Sequence, residues 1–200
     1  MKRWMSTLLL WPTLALAALP DPPAPLELTA EEQETVADRD IAIRLDETDS
    51  GGTSIGIIDV NASPRATIDA VLDLPPRVNE TGALKEVTVT SQAAAAGGEP
   101  EKLSARFALK VMFTNVVFHV NYEIDRDAGW AVSVLDETQE NDIVSAYSSY
   151  QVIPTETGSR IIYRTRSDSG RSVPAWVKTW LANNALKDQL SGIRARAEAS

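Results

Sequence analysis

Between Ala105 and Ile124 the chain alternates with a period of two. Ala105, Phe107, Leu109, Val111 and Phe113 fall on one face, opposite Arg106, Ala108 and Lys110. Val116, Phe118, Val120, Tyr122 and Ile124 repeat the pattern opposite Val117, His119, Asn121 and Glu123. Side chains on a strand point alternately to the two faces of a sheet, so the pattern predicts strands with one packed and one wet side. Trp130–Leu135, Ile143–Ile153 and Ser159–Arg166 continue as strands, set apart by the turn-rich stretches Asp125–Gly129, Gln139–Asp142 and Thr155–Gly158. Upstream, Leu84–Thr90 is a further strand, followed by a low-complexity loop over Ala93–Pro100, and Asp40–Leu45 and Thr53–Val60 make a hairpin across Asp49-Ser50-Gly51-Gly52.

Helical spacing replaces alternation in four places. Thr29 and Glu32 form a capping box for a helix over Ala30–Ala37. Ser63 caps a second helix over Pro64–Leu72, with proline in its first turn, where the missing N–H has no helical partner to lose. Pro75-Pro76 ends that helix and starts a short one reaching towards Gly82. The last runs from Pro174 to Ala197. Its apolar stripe pairs Trp176 with Trp180 and Val177 with Leu181, and continues through Leu186, Leu190, Ile193 and Ala197. Two indoles on one face need an apolar surface opposite, and the strands offer one.

Half-apolar strands joined by short turns belong to an antiparallel meander, and helices segregated to the ends of the chain cover one face of it. The expected architecture is therefore α+β: a curved antiparallel sheet of about seven strands around a long C-terminal helix, with two short helices after the first strand and an extra strand at 40–45.

The chain ends and composition narrow the setting. Residues 1–17 read as a signal peptide: Lys2 and Arg3 precede an apolar run interrupted by Pro12, and Ala15-Leu16-Ala17 fits a small-x-small cleavage site. Residues 18–29, with Asp21-Pro22-Pro23-Ala24-Pro25, are a stiff linker, and 30–200 form one domain. The chain is expected to be exported, periplasmic or secreted, from a bacterium, without stable membrane insertion after cleavage. Cysteine is absent, which excludes disulfides and thiolate chemistry. Removing Lys2 and Arg3 takes the net charge from −9 to −11, a balance that speaks against nucleic acid.

Three segments resemble the START/Bet v1-like (polyketide cyclase/dehydrase, SRPBCC) superfamily over about residues 53–197. They are Gly56-Ile57-Ile58-Asp59-Val60-Asn61-Ala62-Ser63-Pro64, then Tyr150-Gln151-Val152-Ile153-Pro154 ahead of Gly158-Ser159-Arg160-Ile161-Ile162-Tyr163, and the helix from Val173-Pro174-Ala175-Trp176 to Ile193–Glu198. The order of strand, two helices, six strands and helix matches as well. The chain departs in having Ile68 or Val71 where a large aromatic often sits in the first helix, and in the extra strand at 40–45. The resemblance implies a helix-grip fold with a cavity between sheet and closing helix, usually holding a lipid, sterol, isoprenoid or polyketide. Fold alone does not choose among these.

Candidate chemistry is sparse. His119, the only histidine, lies on the polar side of its strand, which suits a surface residue better than a base. One histidine cannot make a histidine-rich metal site, and Asp125-Arg126-Asp127 has the wrong spacing for calcium and reads as turn chemistry. No catalytic residue, metal or cofactor is assigned. Candidate ligand-binding residues are Phe118, Val120, Tyr122, Val134, Tyr150, Tyr163, Trp176 and Trp180, with Asn183 and Asn184 to orient a polar head. The expected partner is a hydrophobic small molecule and the expected role that of an exported carrier. The alternatives are a cyclase/aromatase-like enzyme, or a protein-interaction module with a filled core.

Overall fold

The computed structural model describes residues 23–96, 100–111, 113–174, 176–177 and 184–200. The signal-like stretch and the candidates Trp180 and Asn183 lie outside these residues. In chain order the elements are α1 (Ala30–Ala37), β1 (Ala42–Glu47), β2 (Gly51–Val60), α2 (Pro64–Leu72), a 3₁₀ turn (Pro75–Asn79), β3 (Leu84–Ala93), β4 (Glu101–Val111), β5 (Thr114–Asp125), β6 (Trp130–Leu135), β7 (Ser145–Thr155), β8 (Gly158–Asp168) and α3 (Leu186–Glu198). The caps are those the sequence predicts. Thr29 and Glu32 each accept the other's backbone N–H, at 3.2 and 2.8 Å, and the Ser63 hydroxyl accepts from Ala66 N–H at 3.2 Å.

The strands form one antiparallel sheet in the order β1-β2-β8-β7-β6-β5-β4-β3. The hairpin strand at the N-terminal end is its eighth member, one more than the seven expected, and occupies an edge beside β2. From β3 to β8 the chain meanders. A long-range pairing then joins β8 to β2, setting Gly56 against Tyr163 and Ile58 against Ile161.

The main core lies between the concave side of the sheet and the helices α2 and α3. Ile58, Ile68, Val71, Leu74, Ile161, Leu190 and Ile193 are buried there. Gly56 allows the close approach of α3: a Cβ on it would stand 2.5 Å from Leu190 Cδ1. In one respect the expected layering is wrong. α1 covers the opposite face, where Val36 packs with Ala42, Ile57 and Ile162, and Leu26 and Leu28 border them. Ile57 and Ile162 are paired across β2 and β8, so both strands are apolar on both sides there, and a second layer is needed to keep that face from water.

Candidate functional site

A cavity of about 660 Å³ opens between the sheet and the closing helix. Its walls are mainly apolar: Phe107 and Leu109 from β4, Phe118 and Val120 from β5, Ala146 from β7, and Val177 and Leu186 from the C-terminal region. Phe107 and Phe118, opposite each other in register, stack with ring centroids 5.4 Å apart. One end is open, bordered by the β1–β2 hairpin, by Phe113 at the β4–β5 turn and by Pro174. Phe113 is 94% exposed. At the other end sit buried polar groups: Arg77, Tyr122, Ser133, Tyr150 and Tyr163.

This closed end is built by three register pairs between neighbouring strands. Tyr122 lies opposite Ser133, Tyr150 opposite Tyr163, and Ser133 opposite Ser148, with the two serine hydroxyls 2.7 Å apart. The rings of Tyr150 and Tyr163 are 4.4 Å apart, and the Tyr150 hydroxyl accepts a hydrogen bond from Gln189 Nε2 of α3. Arg77 enters from the 3₁₀ turn, its Cζ 5.4 Å from the centre of the Tyr150 ring, in cation–π geometry. Its Nη2 donates to the Val71 carbonyl, while its Nε has no acceptor. Burial pushes the Tyr122 and Tyr150 hydroxyls up, further at Tyr150, and the nearby Arg77 only partly offsets it. Burial works against the Arg77 charge, but the electrostatic influence of Tyr150, Tyr122 and Tyr163, with a hydrogen bond to Tyr150, raises its pKa. Both phenols therefore stay protonated and able to donate at neutral pH, beside a permanent cation.

Of the residues singled out from sequence, Phe118, Val120, Tyr122, Tyr150 and Tyr163 line this cavity. Three others do not. Trp176 is 58% exposed, and its neighbour Val177 is buried and lines the wall instead. Successive helical residues point about 100° apart, so seating one of the two turns the other out. Val134 is half-buried on the opposite face of β6, because Ser133 is the residue that points inward. Apolar character suggested Val134, but the alternation is phased by Tyr122, its neighbour's partner across β5 and β6. Asn184 is exposed; the side-chain amide that reaches the cavity belongs to Gln189, five residues further on. His119 is half-buried on the outer face, its ring Nδ1 3.3 Å from Asn141 Oδ1.

Sequence reasoning missed Arg77, Gln189, Ser133 and Ser148. Strand alternation could have found the serines, since both share a face with Tyr122 and Tyr150. Nothing local marks Arg77, a lone cation after two prolines. Among the described residues, no three His, Cys, Asp or Glu side chains gather as a metal site would require, and no helix is long and apolar enough to cross a membrane.

A curved antiparallel sheet gripping a C-terminal helix around an internal cavity is the START/Bet v1-like, helix-grip fold. Solved structures agree. The chain is similar to a START superfamily protein from Mycobacterium smegmatis, with 14% identity and a TM-score of 0.58 over 74% of this chain and 97% of that one. It is similar to a STAR-related lipid transfer protein from Xanthomonas axonopodis, with 12% identity and a TM-score of 0.58 over 78% and 93%. It also resembles the Zhui aromatase/cyclase from Streptomyces sp. R1128, with 9% identity and a TM-score of 0.56 over 78% and 94%. At these identities the likeness establishes the fold and leaves activity open. No family model and no curated protein matches the sequence.

Proposed function

We propose that the protein is an exported carrier that holds a hydrophobic small molecule between its sheet and closing helix. The observation that carries this reading is the cavity of about 660 Å³, walled by apolar side chains and open at one end. That size lies within the roughly 300–1,000 Å³ of small-molecule sites, and the mix of apolar walls with a few converging polar groups is what such sites share. An apolar void of this extent argues against an interaction module with a filled interior, because unfilled volume costs packing energy that a ligand restores. Two of the folds it resembles belong to a lipid transfer protein and an aromatase/cyclase. Carriage is favoured over turnover because the polar cluster at the closed end holds phenols whose pKa is raised, which makes them weaker acids, with no carboxylate or imidazole base among its described residues; the carboxylates that line the cavity, Asp46, Glu47 and Asp142, are exposed. Export is part of the proposal and rests on the Lys2-Arg3 start, the apolar run and Ala15-Leu16-Ala17.

Protein purified from its own host should show a co-purifying apolar molecule by native mass spectrometry and solvent extraction. Its intact mass should correspond to a chain beginning at Ala18. Empty protein that also fails to bind a neutral apolar fluorophore would remove the carrier reading.

A further inference from the structure

A cation inside an apolar enclosure is expensive unless something neutralises it. Arg77 is 4% exposed, and no ion pair among the described residues includes it. Glu80, one turn further along, is engaged by Arg196. What Arg77 does have is one backbone carbonyl, at Val71, the face of Tyr150, and the hydroxyls of Tyr150 and Tyr122 within hydrogen-bonding reach. Its Nε–H has no acceptor. A guanidinium offers five donors in a planar fork matched to an oxyanion, and none of its partners among the described residues is an anion. The side chain nevertheless lines the cavity, at the end furthest from the exposed Phe113.

We propose that Arg77 is a headgroup site, and that the cargo is a single-chain amphiphile whose oxyanion end, a carboxylate, meets the guanidinium at the closed end of the cavity. The hydrocarbon then lies along Phe107, Phe118 and Val120 towards the mouth. The hydroxyls of Tyr122 and Tyr150, kept protonated by burial, are the neutral donors beside that oxyanion. This inference rests on the carrier reading and adds the chemical class of what is carried.

The test titrates delipidated protein by displacement of a neutral naphthylamine fluorophore. The competitors are hexadecanoic acid, hexadecanol, hexadecyl phosphate and inorganic phosphate. The acid should bind at least about tenfold more tightly than the alcohol, as expected for a buried charge-assisted pair. Arg77→Met should abolish the preference for the acid over the alcohol, and Arg77→Lys should keep it. If Arg77→Met does not fold, the acid-to-alcohol ratio of the unaltered protein decides. Equal binding of acid and alcohol overturns the headgroup site and leaves the carrier reading standing. Binding of neither overturns both. Hexadecyl phosphate outcompeting the acid would overturn the carboxylate assignment in favour of a phosphate monoester, and displacement by inorganic phosphate alone would overturn the amphiphile in favour of a free-anion site.

Discussion

Glu32 shows how much one side chain can fasten. It completes the cap of α1 by accepting the Thr29 N–H at 2.8 Å, and it pairs with Arg44 on β1, tying helix to sheet edge. The Arg44 guanidinium beside it, against the opposing pull of burial and with help from the Thr29 N–H, holds its carboxyl down from 4.5 to about 2. A value lower in the folded than in the unfolded state stabilises the fold fully above about 4.5, and that contribution disappears as pH falls through about 2. Glu32→Gln should therefore be less stable than the parent at neutral pH. The gap between the two should close across that acid window, measured by urea unfolding at a series of pH values. Parallel pH curves for the two proteins would show that the pair carries no such linkage.

At the scale of elements, the seating of α3 depends on the absence of a side chain at Gly56. Leu190 is fully buried, with Cδ1 2.5 Å from where a Cβ on Gly56 would be. Gly56→Val should push the helix off β2 and cost about 1–3 kcal/mol, the usual penalty of overpacking a tight core. Gly82→Ala, where an added Cβ meets nothing within 4 Å, should change stability by no more than about 0.5 kcal/mol. Urea midpoints of the two variants make the comparison. A neutral Gly56→Val would mean that α3 has room to retreat.

Over the whole molecule, the packed core and the cavity divide the space inside the curl of the sheet. The core beneath α2 and α3 shares its outer members, Phe107, Val120, Tyr122, Tyr150, Tyr163 and Leu186, with the wall of the hollow, while the open volume between them makes no contacts of its own. Filling the hollow should therefore separate binding from stability. Ala146, half-buried and on the wall, is a suitable position. Ala146→Trp should abolish binding of the neutral fluorophore while thermal unfolding stays at or above that of the parent. Loss of both together would show that the hollow beside Ala146 cannot take the added ring.

The strand faces, the caps at Thr29 and Ser63 and the α+β order were legible in the chain because each depends on spacing over a few residues. Alternation is a property of the strand itself, so it assigned Phe118, Tyr122, Tyr150 and Tyr163 to the inward face correctly. It carries no information on depth, and so could not say which inward residues are packed and which border a void. That distinction belongs to the curvature of the sheet and to how closely α3 approaches. The same limit explains Trp176, whose apolar character promised burial, although the fold seats Val177 instead. It explains Arg77 too. A cation looks like surface from its neighbours in sequence, and only the fold of the 3₁₀ turn against Tyr150, through contacts between residues far apart in the chain, puts it at the bottom of the cavity.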